Sequence, residues 1–170
     1  RDTSRRSGVS GGGPIAVCYA DLDRFKAFND HYGFQRGDEI IKRTAEILLN
    51  AVRSHGNPGD FVGHIGGDDF VVVTTPDRAE AVCEAVVKAF DAMIPTLYDE
   101  QAVRQGCLIH TDRRGQQVSI PFLSISIALV TNEERPLTHP GQIAEIGAEL
   151  KTHAKQFDRS LYVKERRKSP

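Results

Sequence analysis

Two short apolar stretches of this chain each meet a pair of aspartates at a turn, and this arrangement restricts the fold most strongly. Residues 15–19 (IAVCY) lead into the acidic stretch YADLDRFK at 19–26, and residues 70–73 (FVVV) follow IGGDD at 65–69. Short apolar runs beside turn residues are typical of buried strands. Carboxylates at strand ends meet at a sheet edge, where hard cations such as Mg²⁺ find oxygen ligands and usually keep phosphate as a partner. The two stretches therefore predict a divalent-metal site and nucleotide chemistry.

Composition restricts the classes of protein that need to be considered. With 170 residues, 39% hydrophobic and 26% charged, the chain is long enough for one domain with its own core. A net charge of −1 gives no strong field for a polyanion, which argues against nucleic acid as a partner. Three cysteines without CxxC spacing argue against structural zinc and disulfides, and favour the reducing cytoplasm. No apolar run has transmembrane length, so membrane insertion of this segment is not expected.

The first residues differ in composition from the rest. Residues 1–13 (RDTSRRSGVSGGG) are polar and rich in Gly and Ser, and they are interpreted as a linker or a remnant of cloning. Because the chain begins with Arg, we expect a module from a longer protein. Residues 14–170 are expected to form a single domain.

Hydrophobic periodicity predicts the element order β-α-α-β-β-α-β-α-β. Hairpins mixed with helices argue against a doubly wound parallel sheet. They favour an α/β (α+β) fold in which helices flank a central, mainly antiparallel sheet. Strands are expected at about 14–20, 61–65, 68–73, 122–130 and 161–163, helices at about 22–30, 37–54, 76–93 and 143–154, and an inserted loop or hairpin at about 95–120.

Each acidic motif has a simpler interpretation when it is taken alone. Asp21 or Asp23 can cap the helix that follows, and the glycine pair at 66–67 can form only a tight hairpin turn. Successive strand residues point to opposite faces, so Asp68 and Asp69 reach one site only if the turn distorts the strand. Spacing excludes an EF-hand, and no P-loop motif occurs.

The acidic motifs belong to a longer ordered set. It comprises DLDRFKAFND at 21–30, Gly33, Gly37-Asp38, GGDDF at 66–70, SISI at 124–127 and AKQFDR at 154–159. Over roughly residues 14–164, this set resembles the GGDEF domain family of diguanylate cyclases, with a variant GGDDF signature. The resemblance implies a fold like the polymerase palm and the nucleotidyl cyclases. It also implies condensation of two GTP into cyclic di-GMP, a bacterial second messenger, with release of pyrophosphate.

The resemblance implies catalytic and metal-binding roles for matching residues. Asp21 and Asp68 correspond to metal ligands, and the backbone carbonyl of Leu22 is a further ligand. Asp69 stands where the family usually has its catalytic glutamate, beside the same metal. The implied catalytic set is thus Asp21, Asp68 and Asp69, with Mg²⁺ or Mn²⁺ as the cofactor.

The resemblance also implies the contacts to GTP. Asn29 and Asp38 correspond to the guanine-binding residues, since an amide and a carboxylate match the edge of a purine. Lys155 and Arg159 are expected four residues apart on one helix, facing the terminal phosphates together. Backbone N–H groups at the start of the preceding helix would also hold phosphates, at Arg24, Phe25 and Lys26.

Turnover in this family requires two domains, because each domain holds one GTP. The resemblance therefore implies a homodimer for turnover. It also implies control by an upstream regulatory domain, for which a phosphodiesterase domain is one candidate.

Several positions depart from the family pattern. Asp69 is one methylene shorter than glutamate, about 1.5 Å of reach. Misplacement of that order can cost roughly 10²-fold in rate. The family's inhibitory motif Arg-x-x-Asp is replaced by NPGD at 57–60, where only Asp60 remains, so no feedback inhibition through that site is expected. The other departures are Phe34 in place of His, Ala128 in place of Gly, and Asp158-Arg159-Ser160 in place of Gly-Arg-Asn.

These departures leave three functions open. The first is an active diguanylate cyclase. The second is a degenerate module that binds GTP or cyclic di-GMP and signals without turnover. The third is a structural dimerisation module.

Overall fold

A five-stranded sheet with the order β2-β3-β1-β6-β7 forms the centre of the computed structural model, which describes residues 13–133, 136–137 and 139–166. The strands are β1 (Ala16–Asp23), β2 (Phe61–Gly66), β3 (Asp69–Thr74), β4 (Leu108–Thr111), β5 (Gln117–Ile120), β6 (Ser124–Thr131) and β7 (Leu161–Lys164). The helices are α1 (Phe25–Tyr32), α2 (Phe34–His55), α3 (Pro76–Met93), α4 (Glu100–Gln105) and α5 (Pro140–Ala154).

The pairing within the sheet confirms the predicted fold class. β1 pairs antiparallel with β3 and β6, and β2 pairs antiparallel with β3. β6 and β7 form a parallel pair. The sheet is therefore mainly antiparallel, and helices flank it.

The two faces of the sheet are covered by different helices. Alternate residues of β1 (Ala16, Cys18, Ala20, Leu22) join the main hydrophobic core with residues of α2 and α3. The opposite face lies towards α5, where Gly147 approaches the ring of Tyr19. β6 is buried along its whole length because both of its faces are covered. The polar residues of β1 on the α5 side are consequently enclosed, which matters for the site.

Two boundary predictions were wrong. The helix expected from residue 22, capped by Asp21 or Asp23, begins instead at Phe25, because β1 continues to Asp23. α2 begins at Phe34 rather than near residue 37, since Gly33 alone (φ 91°) separates it from α1.

The expected insertion is a hairpin with a short helix before it. β4 and β5 pair as an isolated two-stranded sheet, and α4 precedes them. Tyr98 anchors this region, because its buried hydroxyl accepts a hydrogen bond from the backbone N–H of Leu123 at 2.8 Å. The predicted linker lies outside the described residues, except for Gly13.

No helix among the described residues combines the length and the apolar character that crossing a bilayer requires.

Candidate active site

A left-handed residue makes the junction between β1 and α1. Arg24 has φ 65° and ψ 24° and occupies the N-cap position of α1, with no side-chain cap hydrogen bond. This conformation is unfavourable for a non-glycine residue. The Arg24 guanidinium is held by Ser124 Oγ at 3.2 Å and by Asp158 Oδ1 at 2.5 Å. These contacts offset the local strain and let the helix follow the strand directly, four residues after Asp21.

Three carboxylates converge where β1, the 66–69 turn and β3 meet. Asp21, Asp68 and Asp69 each offer an oxygen, and these oxygens lie within 4.8 Å of one another. Asp21 and Asp69 are directly opposite in the antiparallel register of β1 and β3. The predicted clustering of Asp21, Asp68 and Asp69 is therefore present in the structure.

The turn explains how Asp68 and Asp69 reach the same site, although successive residues of a strand point to opposite faces. Asp68 belongs to the turn and not to β3, so strand alternation does not direct its side chain. Two glycines with positive φ, Gly66 (141°) and Gly67 (55°), shape this turn, and the β2–β3 register shifts beside it. The backbone carbonyl of Asp68 accepts the N–H of Leu22 at 3.3 Å, which ties the turn to β1.

Burial, together with the neighbouring acids, raises the pKa of two of these carboxyls. Burial raises the pKa of Asp21, and the charge of Asp69 acts in the same direction, while Lys155 opposes both. Burial and the neighbouring Asp21 also raise the pKa of Asp68. Like charges held this close repel one another, and a bound cation removes that repulsion. A close set of hard oxygen donors therefore suits a divalent cation such as Mg²⁺.

Asp23 is a buried acid that the sequence predicted only as a helix cap. Its Oδ2 accepts hydrogen bonds from Ser124 Oγ at 2.6 Å and Ser126 Oγ at 2.7 Å, and its Oδ1 accepts one from Lys155 Nζ at 2.9 Å. The carboxylate thus joins β1 to β6 and to the residue that follows α5. The signal for this role was present in the sequence, since the SISI strand places two hydroxyls on one face.

Lys155 lies inside the acidic site and not on a helix with Arg159. Its Nζ is 2.9 Å from Asp21 Oδ2 and 2.9 Å from Asp23 Oδ1. Burial lowers the pKa of Lys155, but the hydrogen bonds to Asp23 and Asp21 outweigh it and leave the pKa raised. The expected i,i+4 helical pair was wrong, because α5 ends at Ala154 and Arg159 follows in an irregular segment. The Arg159 guanidinium lies 5.8 Å from the ring centre of Phe157.

Lys151 is a further cation that the sequence analysis missed. It lies one turn before Lys155, and its Nζ is 3.6 Å from Asp69 Oδ1. On a helix, residues four apart share a face, so the spacing of the two lysines in the sequence was the available signal. Two ammonium groups therefore face the carboxylates from the α5 side.

The expected guanine-binding residues lie where α1 and α2 meet. In the described part of the chain, Asn29 Oδ1 is buried without a hydrogen-bond partner. A Cβ added at Gly37 would lie 1.8 Å from that oxygen, so the absence of a side chain there makes room for Asn29. Asp38 follows at once in α2 and is exposed. An unpartnered amide oxygen near an exposed carboxylate can bind a group that donates hydrogen bonds.

The predicted phosphate-binding backbone begins α1. The helix starts at Phe25, so its first N–H groups have no partner within the helix. Lys26 is exposed, whereas Phe25 packs against the core. The amide positions at Arg24, Phe25 and Lys26 therefore follow Asp21 and Asp23 directly along the chain, and they suit an anion.

Asp60 has a structural environment. Its Oδ2 accepts the N–H of Asn57 at 2.7 Å and the hydroxyl of Thr74 at 2.6 Å. The carboxylate thereby closes the turn between α2 and β2. That Asp60 is a remnant of the family's inhibitory site, and that feedback inhibition is absent, remain predictions.

A match to a family model extends over residues 4–135, and that model is described as the diguanylate cyclase GGDEF domain. The chain belongs to the GGDEF family. This match covers most of the chain and includes both acidic motifs, the proposed guanine-binding residues and β6. The insertion at α4, β4 and β5 also lies within it.

Curated relatives match shorter segments of this GGDEF domain. Diguanylate cyclase DosC of Escherichia coli K12 is 39% identical over 64 residues, which is 38% of this chain and 13% of DosC. Diguanylate cyclase DgcS of Shewanella oneidensis MR-1 is 38% identical over 79 residues, which is 45% of this chain and 25% of DgcS. The alignments thus span a quarter or less of these relatives.

Solved GGDEF domains share the fold at lower identity. The GGDEF domain of YfiN from Pseudomonas aeruginosa has a TM-score of 0.59 and 22% identity, over 89% of this chain and 81% of that one. The GGDEF domain of DgcB from Caulobacter crescentus, in complex with c-di-GMP, has a TM-score of 0.54 and 17% identity, over 89% and 77%.

Proposed function

We propose that this GGDEF domain is a diguanylate cyclase that condenses two GTP into cyclic di-GMP with the help of Mg²⁺ or Mn²⁺. The observation that carries the proposal is the convergence of Asp21, Asp68 and Asp69 within 4.8 Å at the end of β1. The start of α1 follows this cluster by only a few residues. One continuous segment thus supplies Asp21 for a cation and the helix amides for phosphate, while Asp68 and Asp69 come from the turn before β3 and from the start of β3.

In the proposed reaction, the 3′-oxygen of one GTP forms a bond to the α-phosphorus of the other. The bond from that phosphorus to pyrophosphate breaks, and the 3′-hydroxyl proton passes to a base. Divalent cations at such a site lower the pKa of the nucleophile and stabilise the leaving group. Asp21 and Asp68 would hold the cation, with the carbonyl of Leu22. Asp69 takes the position of the acid beside the attacking hydroxyl.

The remaining residues bind and orient the nucleotide. Asn29 Oδ1, which is buried without a partner, and Asp38 would accept hydrogen bonds from the N–H groups of guanine. The amides at Arg24, Phe25 and Lys26 would receive phosphate oxygens. Lys155 and Arg159 would contact the terminal phosphates, although they do not share a helix. Because each domain supplies one nucleotide, a homodimer completes the reaction.

A nucleotide-binding sensor without turnover is the second candidate, and one observation favours it. Lys155 Nζ already contacts Asp21 Oδ2 at 2.9 Å, and Lys151 Nζ lies 3.6 Å from Asp69 Oδ1. Both ammonium groups compete with a cation for these acids. Asp69 is in addition shorter than the usual glutamate, which places its carboxylate farther from a nucleophile. Both features reduce turnover more than they reduce guanine recognition.

Forced dimerisation tests the two candidates. A parallel coiled coil fused before residue 11 brings two domains together and removes failure to meet as a cause of inactivity. The fusion is incubated with GTP and Mg²⁺, and cyclic di-GMP is quantified by chromatography and mass spectrometry, with Asp21→Ala as the blank. We expect product above the blank.

The same samples separate the alternatives. Binding of a fluorescent, non-hydrolysable GTP analogue is measured in parallel. Binding without product, restored to turnover by Asp69→Glu, would replace the cyclase by the sensor. The absence of both binding and product would leave only a structural role. The proposal also includes a cytoplasmic location and an upstream regulatory domain. Testing either of them requires the whole protein.

A further inference from the structure

Phe34 is an aromatic side chain that the folded domain leaves uncovered. Among the large hydrophobic residues that the structure describes, it is the most exposed, at 77%. It belongs neither to the hydrophobic core nor to the partly buried side chains that pack against that core. A single exposed apolar residue is common on protein surfaces, so exposure alone assigns no role. What distinguishes Phe34 is its position beside the proposed guanine-binding residues.

Helix geometry places Phe34 next to two residues of that proposed site. Phe34 is the first residue of α2, and Gly37 and Asp38 follow three and four positions later. At about 100° per residue, Gly37 and Asp38 lie about 60° and 40° from Phe34, on either side of it around the helix axis. Side chains lean towards the N-terminus of their helix, so the Asp38 carboxylate is directed to the turn that Phe34 begins. The ring and the carboxylate therefore share one face of α2.

The groove between α1 and α2 beside this face suits a group that donates hydrogen bonds. A Cβ added at Gly37 would lie 1.8 Å from Asn29 Oδ1, so the Asn29 side chain reaches from α1 to the Gly37 side of α2. In the described part of the chain, that oxygen is buried without a partner. Guanine presents N–H donors along one edge, and Asn29 and Asp38 offer acceptors for them. Contacts to the edge leave both faces of the base uncovered.

The start of α2 is held in place from its other side. Arg36 lies about 200° from Phe34 around the helix axis, and its guanidinium donates to the backbone carbonyl of Leu97 at 2.9 Å. The same guanidinium stacks 4.0 Å over the ring of Tyr32 in α1. Gly33, with φ 91°, joins α1 to α2 without an intervening loop. The backbone that carries Phe34 is therefore fixed relative to α1, and a base that binds there meets a preorganised surface.

We propose that the ring of Phe34 stacks on one face of the guanine base of bound GTP and supplies part of the affinity for the nucleotide. This role rests on the proposed binding of guanine by Asn29 and Asp38, and it extends that proposal. Every nucleobase has a π-face, so stacking adds affinity without selecting the base. Hydrogen bonds to the edge of the base provide the selection. Phe34 thus contributes affinity, while Asn29 and Asp38 contribute selectivity for guanine.

Phe34→Trp reports the contact directly, because the chain contains no tryptophan of its own. The indole keeps an aromatic face, and a nucleobase stacked on it quenches its fluorescence. The probe is a GTP analogue with a methylene group between the α- and β-phosphorus atoms, which cannot release pyrophosphate. With Mg²⁺ present, we expect this analogue to quench most of the emission at saturation. Phe61→Trp is the matched control, since Phe61 is 57% exposed at the end of β2 far from the 66–69 turn, and its emission should not change.

Truncation of the ring measures the affinity that it supplies. Calorimetric titration with the same analogue gives the Kd of each variant, and circular dichroism verifies that each is folded. Phe34→Ala should raise the Kd by roughly 5- to 100-fold, the scale on which an aromatic side chain stacked on a base contributes. Phe34→Trp and Phe61→Ala should bind like the parent. The preference for the guanine analogue over the matching inosine analogue should persist in Phe34→Ala, because the contacts to the edge of the base remain.

The outcomes separate this role of Phe34 from the proposed guanine site itself. A parent domain that does not bind the analogue would overturn both. Binding by the parent with an equal Kd in Phe34→Ala would overturn only the role of Phe34. So would binding without quenching in Phe34→Trp, or equal quenching in Phe34→Trp and Phe61→Trp.

Discussion

Replacing Lys155 by Met tests how the acidic site is held together before any ligand binds. Asp23 is 6% exposed, and its carboxylate is satisfied by Ser124, Ser126 and Lys155. The substitution keeps most of the side-chain volume and removes the ammonium. Asp23 is then left as a buried charge with two hydroxyl partners, while Asp21 loses its nearest counter-charge at 2.9 Å. We expect the protein to be destabilised.

The structure also limits the size of this effect. Removing one partner of a fully buried ion pair costs about 3–5 kcal/mol. The side chain of Lys155 is 40% exposed, so solvent screens part of the interaction. Asp23 also keeps both hydroxyl hydrogen bonds. We therefore expect a loss of about 1.5–2.5 kcal/mol in the free energy of unfolding, which corresponds to a fall in Tm of roughly 3–10 °C for a domain of this size.

Lys151→Met is the matched control for Lys155→Met. The two lysines lie one helical turn apart and face the same cluster, but Lys151 is 3.6 Å from Asp69, whose side chain is 39% exposed. A partly exposed pair at this distance contributes roughly 0–1 kcal/mol. Urea unfolding followed by circular dichroism, with EDTA present, measures both variants. The slope m should stay unchanged, because neither substitution alters the surface that unfolding exposes.

Mg²⁺ should restore part of the stability that the Lys155→Met variant loses. In the Lys155→Met variant the cation no longer competes with an ammonium for Asp21, so Mg²⁺ should stabilise the variant more than the parent. Equal stabilities of the two lysine variants would refute the role assigned to Asp23 and Lys155. A smaller Mg²⁺ effect in Lys155→Met than in the parent would refute the competition.

Four further outcomes follow from the same geometry. Asp68→Asn should raise the free energy of unfolding in EDTA by less than about 1 kcal/mol after solvent screening, because the raised pKa of Asp68 means that its ionisation opposes folding near pH 7. The Mg²⁺-dependent rise in Tm should disappear in this variant. Gly37→Ala should weaken GTP binding at least tenfold without unfolding α2, because the new methyl would lie 1.8 Å from Asn29 Oδ1; unchanged binding of the fluorescent analogue contradicts this. Asp69→Glu should raise turnover in the forced dimer, by up to roughly 10²-fold, and an unchanged rate would show that reach is not limiting. The pKa of Lys155 is raised in the folded protein. The stabilisation that its ammonium provides is therefore complete below the ordinary lysine pKa of 10.5 and is lost as the pH rises through the higher folded pKa. The parent and Lys155→Met should consequently converge in Tm at strongly alkaline pH.

The sequence predicted the elements and the clustering of acids well, because both depend on local patterns. Short apolar runs located β1 and β3, and the turn glycines explained how Asp68 escapes strand alternation. The mainly antiparallel sheet followed from the mixture of hairpins and helices. These inferences needed only periodicity and turn chemistry.

The sequence failed where contacts between distant segments decide the structure. Nothing local indicated that Arg24 would adopt a left-handed conformation, since its guanidinium is held by Ser124 and Asp158, which are 100 and 134 residues away. The helical spacing of Lys155 and Arg159 was equally misleading. A helix end depends on packing and on the backbone beyond it, and a periodic pattern does not fix it.

The charges of the site explain why the lysines matter for any ligand. Around the cluster, the four carboxylates of Asp21, Asp23, Asp68 and Asp69 face two ammonium groups, which leaves a formal charge of −2. One divalent cation cancels that charge. A cation bound to Asp21 would take the oxygen that Lys155 now contacts, and the ammonium would then be free to contact an incoming phosphate. Asp23 would keep its two serine hydroxyls in this exchange, so the end of β1 would stay fixed while Lys155 changed partners.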